Sequence, residues 1–190
     1  KRKAQIDNLL EKALTAFDQG NFDNALPFYS EILSLDPKHL MTFLNQGNVY
    51  SAMGKHDLAE IAYSNASEIN PYYLFSHINL AKTYLANGKA TAAEKVLKDT
   101  LIWHTTDPEV FLYLGLAYSF QKEVELARQS FEKALNLDPK YSLGYYYLGV
   151  HYLKRHSGKV QEYLRKFISL ETEEGNEKLI QNAERLLKKL

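Results

Sequence analysis

The chain has 190 residues, of which 45% are apolar and 24% are charged, and this is the composition of an ordinary globular protein, not of a disordered or membrane-spanning one. Lys plus Arg equal Asp plus Glu at 23 each, so no global field favours nucleic acid or an anionic membrane surface. Cysteine is absent, which excludes disulfides, thiolate catalysis and most structural zinc sites.

The chain begins Lys1-Arg2-Lys3 without methionine, and we expect that its natural beginning has been removed. No apolar run long enough for a signal peptide or a membrane-spanning helix follows, so we expect no direct membrane insertion. A chain without cysteine is compatible with reducing and oxidising compartments alike, so the localisation stays open.

Five columns of residues recur along the chain at multiples of 34 residues, all in one phase. The columns are Gly20, Gly54 and Gly88; Ala25, Ala59, Ala93 and Ala127; Pro37, Pro71 and Pro139; Gly47, Gly115 and Gly149 with Ala13 and Ala81; and Tyr50, Tyr84, Tyr118 and Tyr152. Independent columns in a single phase predict a repeated structural unit.

Each unit is predicted to be two helices joined by a tight turn, because apolar residues recur at three- and four-residue steps on both sides of the turn glycine. Gly20, and its equivalents one and two units later, end the first helix in the left-handed conformation. The second helix of the first unit is predicted from Phe22 to Leu35, where Asp36-Pro37 stops it.

Small and bulky positions predict how the helices pack. Gly47 or Ala81 on a first helix, with Ala59 or Ala93 on a second helix, allow the two backbones to approach closely. A bulky column on the second helices is expected to bury against the first helix of the next unit, and it consists of Tyr29, Tyr63, Leu97 and Phe131.

These columns resemble the tetratricopeptide repeat family, and the best-matched stretch runs from Phe111 to Pro139. The resemblance implies an all-α fold, a right-handed superhelical solenoid of antiparallel helix pairs that forms a single domain over residues 1–190. The units are then 6–39, 40–73, 74–107, 108–141 and 142–171, followed by a capping helix at about 176–190. Leu179, Ile180, Ala183, Leu186, Leu187 and Leu190 form its apolar face.

Some residues depart from the family pattern. In the third unit the proline is missing, and Asp107 is predicted to cap a helix that begins with Pro108. Lys122 replaces the turn glycine of the fourth unit, at a cost if the backbone there needs a positive φ; otherwise the turn differs.

In the fifth unit two residues are inserted around Arg155 to Gly158. Lys154 and Lys159 flank them and make a small basic edge, which is either a solvated surface or a site for an acidic partner. An acidic stretch from Glu171 to Glu174 then precedes the capping helix.

The resemblance also implies that the first helix of each unit lines a concave groove. The candidate peptide-binding residues at these positions are Met41, Asn45, Asn48, Phe75, Asn79, Lys82, Tyr113, Leu116, Tyr146 and Tyr147. Asparagine amides one unit apart are suited to holding the backbone of an extended peptide, and the alternative is that they satisfy local groups. The tyrosines and apolar residues of this surface favour burial of a partner's apolar side chains. For Leu44, Ile78 and Leu112 the alternative to partner binding is packing between the helices.

Several functions are not expected from this sequence. In this family, chaperone C-terminal carboxylates are bound by a complete set of lysines, asparagines and arginine, and this chain lacks that set. From the second unit onward the corresponding positions read Leu44, Asn48, Asn79, Glu109 and Tyr113, so binding of such carboxylates is not expected. The sequence contains no phosphate-binding loop, no nucleophile elbow and no pair of histidines with a carboxylate on one helix face. We therefore expect no enzymatic activity, no cofactor and no metal. The aromatic residues fall on packing columns and not beside a basic stripe, so nucleic-acid binding is not expected either.

The leading hypothesis is a protein–protein interaction scaffold or adaptor that holds a peptide segment or a helix of a partner protein in its groove. The alternative is a self-assembling structural element that oligomerises through its terminal helix or its open first unit. The sequence does not identify the partner.

Overall fold

The computed structural model describes residues 1–153, 157–171 and 176–190, and every regular element among these residues is an α-helix. The helices are α1 (Arg2–Asp18), α2 (Phe22–Leu35), α3 (Leu40–Ala52), α4 (His56–Ile69), α5 (Leu74–Ala86), α6 (Ala90–Thr100), α7 (Pro108–Phe120), α8 (Val124–Leu137), α9 (Ser142–Tyr152), α10 (Ser157–Leu170) and α11 (Glu177–Leu187). The predicted all-α class of paired helices is confirmed.

The second helix predicted for the first repeat is confirmed. Helix α2 spans Phe22–Leu35, and Asp36 after it is extended, with φ −137° and ψ 92°, before Pro37. Helix α1 begins at Arg2, four residues before the first unit predicted at 6–39, because the residues from Arg2 to Gln5 are good helix formers and none of them stops the helix. Of the insertion and basic edge predicted around Arg155 to Gly158, residues 154–156 lie outside the described residues, as do residues 172–174 of the acidic stretch.

The chain divides into two compact units, Lys1–Val96, here the N-unit, and Leu97–Leu190, here the C-unit. In the N-unit, helices α1 to α5 pack in sequence order, and in the C-unit α7 packs on α8, α8 on α9, α9 on α10 and α10 on α11. The extent of a single domain over residues 1–190 stays a prediction. None of the described helices is both long and apolar enough to cross a bilayer.

The predicted turn glycines are left-handed, with φ of 72° at Gly20, 70° at Gly54 and 71° at Gly88. Lys122 adopts the same conformation, with φ 64°. Its turn also has the same hydrogen bonds, because the Glu123 amide donates to the Tyr118 carbonyl at 2.9 Å as the Lys55 amide donates to the Tyr50 carbonyl at 2.8 Å. The fourth repeat therefore keeps the glycine turn while carrying a residue with a Cβ.

Replacing Lys122 by glycine should raise the free energy of unfolding by about 1 kcal/mol, since a left-handed L-residue crowds its carbonyl oxygen and glycine does not. Urea denaturation followed by circular dichroism measures the change. Glu123→Gly is the matched control, because Glu123 has φ −80° and gains nothing from glycine. If Lys122→Gly is no more stable than the parent chain, the turn carries no strain.

Glycines on the first helices let an aromatic ring of the same repeat lie directly on the helix backbone. A Cβ on Gly47 would come within 2.4 Å of Tyr63, and one on Gly115 within 2.4 Å of Phe131. Phe131 also stacks on Tyr147 of the next repeat, with ring centroids 6.1 Å apart. The bulky column was predicted to bury against the first helix of the next repeat, and Phe131 does so while also filling the space above the glycine of its own repeat.

Two local predictions about helix ends are confirmed. Asp107 caps α7, and its carboxylate accepts hydrogen bonds from the amides of Glu109 at 2.8 Å and Val110 at 3.3 Å. Helix α11 covers the end of the fifth repeat: Ala183 is fully buried, and the Asn182 amide donates to the Tyr146 hydroxyl at 2.6 Å.

Candidate binding surfaces on the first helices

In the N-unit, the candidate residues of α3 and α5 lie at intervals of three and four residues, so each helix presents them on one face. Met41 and Phe75, near the starts of the two helices, are exposed by 43% and 57%. Asn45 and Asn79 follow one turn later and are partly buried. Among the described residues, neither side-chain amide has a hydrogen-bond partner. Both amides are therefore available to a ligand.

Asn48 and Lys82 differ from these two asparagines because each already interacts within the chain. The Asn48 carbonyl oxygen accepts a hydrogen bond from the Tyr63 hydroxyl at 2.7 Å. Burial raises the pKa of Tyr63 to about 12, so the phenol keeps its proton and remains the donor at neutral pH. Lys82 is partly buried and engaged with other groups. The side-chain oxygen of Asn48 therefore satisfies a local group, which is the alternative that the sequence left open for the asparagines.

The fifth positions of the first helices contribute to packing. Leu44, Ile78 and Leu112 are exposed by 5%, 1% and 1%, so their side chains lie in the core. Tyr146 occupies the same position in the last repeat and is exposed by only 6%, with its ring 5.1 Å from that of Phe167. Its hydroxyl is bound by Asn182. Tyr146 therefore supports the cap and leaves little surface for a partner.

In the C-unit, two other candidates meet at a cavity of about 330 Å³ between α7, α8 and α9. Leu116 lies on one wall and Tyr147 on the other. We call this cavity the C-unit slot, and its full lining is Leu116, Ser119, Lys122, Val124, Phe131, Tyr147, Val150 and His151. Tyr113 is partly buried and is not part of the lining. The structure thus joins Leu116 and Tyr147 and places Tyr113 outside the slot.

The floor of the slot is the aromatic ring of Phe131, which packs against the helix backbone at Gly115. Because Gly115 has no side chain, the Phe131 ring lies against α7, and only 1% of Phe131 is exposed. The ring of His151 meets Phe131 edge-on, with centroids 6.2 Å apart. Burial raises the pKa of Tyr147, so its hydroxyl stays neutral at physiological pH. The slot therefore has an apolar interior, with the hydroxyls of Ser119 and Tyr147, the ring of His151 and one lysine at its walls.

Six of the eight lining residues were not among the candidates predicted from the sequence. Phe131 was assigned to packing alone, and Lys122 was noted only as a departure at the turn. The other four are Ser119, Val124, Val150 and His151. The hydrophobic period does not distinguish them, because the slot forms where the end of one repeat meets the next. In the described parts of the chain, no group of three or more His, Asp or Glu side chains is placed to hold a metal ion.

Two family models match the chain, each described as a tetratricopeptide repeat, one over residues 10–73 and the other over residues 108–141. The chain belongs to the tetratricopeptide repeat family. The unmatched residues include the third repeat, which lacks its proline, and the altered fifth repeat. Tetratricopeptide repeats form protein–protein interaction domains, and this chain is such a domain. The family is generally non-catalytic.

Solved structures of other tetratricopeptide repeat proteins show the same fold. The chain is 19% identical to TTC0263, a thermophilic protein of Thermus thermophilus, over 96% of this chain and 99% of that one, with a TM-score of 0.77. It is 18% identical to PilF of Pseudomonas aeruginosa, covering 99% and 89%, also at 0.77. For YrrB, described as having an unusual peptide-binding site, the identity is 20%, the coverage 93% and 90%, and the TM-score 0.65. At these identities the likeness extends to the fold alone.

Proposed function

We propose that this protein is an adaptor that binds a peptide segment or a helix of a partner protein on the faces of its first helices. The C-unit slot is the observation that carries the proposal. Its walls, formed by Leu116, Tyr147 and Val150, enclose about 330 Å³ that no side chain of the protein fills. Burying an apolar side chain of a partner there would remove apolar surface of both molecules from water.

The N-unit supports the same function with different chemistry. Asn45 and Asn79 each offer an amide donor and an acceptor, one repeat apart, and an extended peptide presents the matching backbone groups. Met41 and Phe75 add exposed apolar contact area beside them. The peptide-binding site described for YrrB, a protein of the same fold, is consistent with this use of the repeat.

The alternative of self-assembly has weaker support. Helix α11 is docked on its own fifth repeat through the Asn182–Tyr146 hydrogen bond of 2.6 Å and the buried Ala183, so part of its apolar face is already engaged. Sedimentation velocity over a range of concentrations separates the two functions. A chain that is monomeric at every concentration contradicts self-assembly and leaves peptide binding as the function.

The experiment for peptide binding uses a random peptide library displayed on phage and selected on the full chain. The triple variant Asn45→Ala, Asn79→Ala and Tyr113→Ala tests the predicted groove, and Leu116→Gln tests the slot. Each should weaken by about tenfold or more the binding of those selected peptides that contact the substituted residues, because truncation of a hot-spot residue costs about 2 kcal/mol or more and about 1.4 kcal/mol is tenfold in affinity. Circular dichroism should show unchanged helicity.

Ile61→Ala and Leu126→Ala are the matched controls, since both residues are exposed apolar side chains on second helices, by 58% and 42%. They should leave peptide affinity unchanged. Selected peptides that bind both groove variants as tightly as the parent chain, or that lose affinity only with the controls, would place binding elsewhere on the molecule.

A further inference from the structure

The turn at Lys122 is unlike the other turns of its type. Among the described residues, Lys122 is the one non-glycine residue with a positive φ, at 64°, and Gly20, Gly54 and Gly88 occupy the equivalent place in other repeats. An L-residue in this conformation brings its Cβ close to a carbonyl oxygen, which glycine avoids. The turn itself gains nothing from lysine, and residues held in such strain are often found at functional sites.

The charge of Lys122 is available to a ligand. Its ammonium makes no ion pair and no hydrogen bond with any residue in the described ranges. Nearby, both Glu125 and Glu132 are paired with Arg128, and Glu123 is exposed to solvent. In the N-unit, the turn of the third repeat has Gly88 at this position and a lysine, Lys89, one residue later. The Lys89 Nζ atom lies 2.6 Å from a carboxylate oxygen of Glu60. The fourth repeat thus has a turn lysine without a carboxylate partner of its own.

Lys122 also lines the C-unit slot. A cation at the wall of an apolar cavity complements a ligand in which an apolar group stands next to a negative charge. Tyr147, Val150 and Leu116 would contact the apolar group, and Phe131 lies beneath it. The lining includes one lysine and no arginine, a set suited to one carboxylate received as a point charge.

We infer that the C-unit slot selects a peptide segment in which a bulky apolar residue stands next to an aspartate or glutamate. The apolar side chain occupies the slot, and the side-chain carboxylate binds Lys122. This inference rests on the proposed function and names the class of peptide that the slot takes. Binding of the carboxylate also explains why position 122 is a lysine, although a glycine there would make the fold more stable.

The test compares peptide libraries selected on the full chain and on three variants of one residue. The parent chain should enrich Asp or Glu next to an apolar position. Lys122→Arg should keep this preference, whereas Lys122→Gln and Lys122→Gly should lose it. Lys122→Gly should at the same time raise the melting temperature, so loss of the preference in that variant is not due to loss of the fold.

A quantitative arm uses one enriched peptide and its partner with glutamine in place of glutamate, both amidated at the C-terminus. By fluorescence anisotropy at low salt, the acidic peptide should bind the parent chain about two- to fivefold more tightly, and Lys122→Gln should remove the difference. A free-acid version of the glutamine peptide reveals whether a C-terminal carboxylate serves instead. Restored affinity in that version would contradict the choice of a side-chain carboxylate.

The outcomes separate this inference from the proposed function. Peptides that bind the slot without an acidic preference, or whose preference persists in Lys122→Gln, overturn the inference and leave the adaptor function standing. If Leu116→Gln affects no selected peptide, the slot is not a binding site and the inference fails, while binding to the N-unit remains testable through Asn45 and Asn79.

Discussion

Replacing Gly115 by leucine is expected to lower the free energy of unfolding by about 1–3 kcal/mol or more, because the new side chain has no space. A Cβ alone would approach Cε1 of Phe131 to 2.4 Å, far inside van der Waals contact. Phe131 is exposed by only 1%, so its ring cannot move aside without disturbing Tyr147, on which it stacks. Guanidinium denaturation monitored by circular dichroism measures the loss.

Gly158→Leu is the matched control for this substitution. Gly158 lies in α10, and none of the described heavy atoms outside its own helix backbone and neighbours is within 4 Å of the position of its Cβ. Leucine there should leave stability unchanged or raise it slightly, since leucine is the better helix former. Similar losses at the two positions would show that the effect of Gly115→Leu is not caused by the contact with Phe131.

Replacing Phe167 by alanine is expected to lower the free energy of unfolding by about 3–5 kcal/mol, because it removes a large buried side chain. Phe167 is fully buried, and its ring is 5.1 Å from Tyr146, which is held in turn by Asn182 of α11. Removal of the ring leaves a cavity beside Tyr146, where the fifth repeat packs against α11. Thermal and denaturant unfolding both report the change.

Lys166→Ala is the control for Phe167→Ala, because Lys166 is an exposed residue of the same helix. It should alter stability by no more than about 0.5 kcal/mol. A loss below about 1 kcal/mol for Phe167→Ala would mean that the fifth repeat and its cap do not form the packed end described above.

Features set by local chemistry could be predicted from the sequence. The turn glycines require a positive φ, the cap at Asp107 depends on residues two and three places later, and the end of α2 depends on the proline that follows. Each of these depends on a few neighbouring residues and recurs in register. The helix pairs and the bounds of α2 followed from such features, whereas no local signal marks the start of α1.

The candidate surface was harder to predict because it depends on which side chains remain unused after packing. Asn48 and Asn45 look equivalent in the sequence, yet only Asn48 is bound to a neighbouring tyrosine, at 2.7 Å. Tyr146 and Tyr147 are adjacent, and one is covered by α11 while the other lines the slot. Lys122 became a candidate only when its conformation and its place at the slot were seen together.

The central claim, that the faces of the first helices bind a peptide, is tested most directly by methyl NMR of the full chain during titration with a library-selected peptide. The account predicts that the signals of Leu116 and Val150 shift for a slot-binding peptide, and that of Met41 for a peptide held by the N-unit. Ile61 and Leu126, exposed on second helices, serve as internal references. Shifts confined to Ile61 and Leu126, with Leu116, Val150 and Met41 unchanged at saturation, would contradict it.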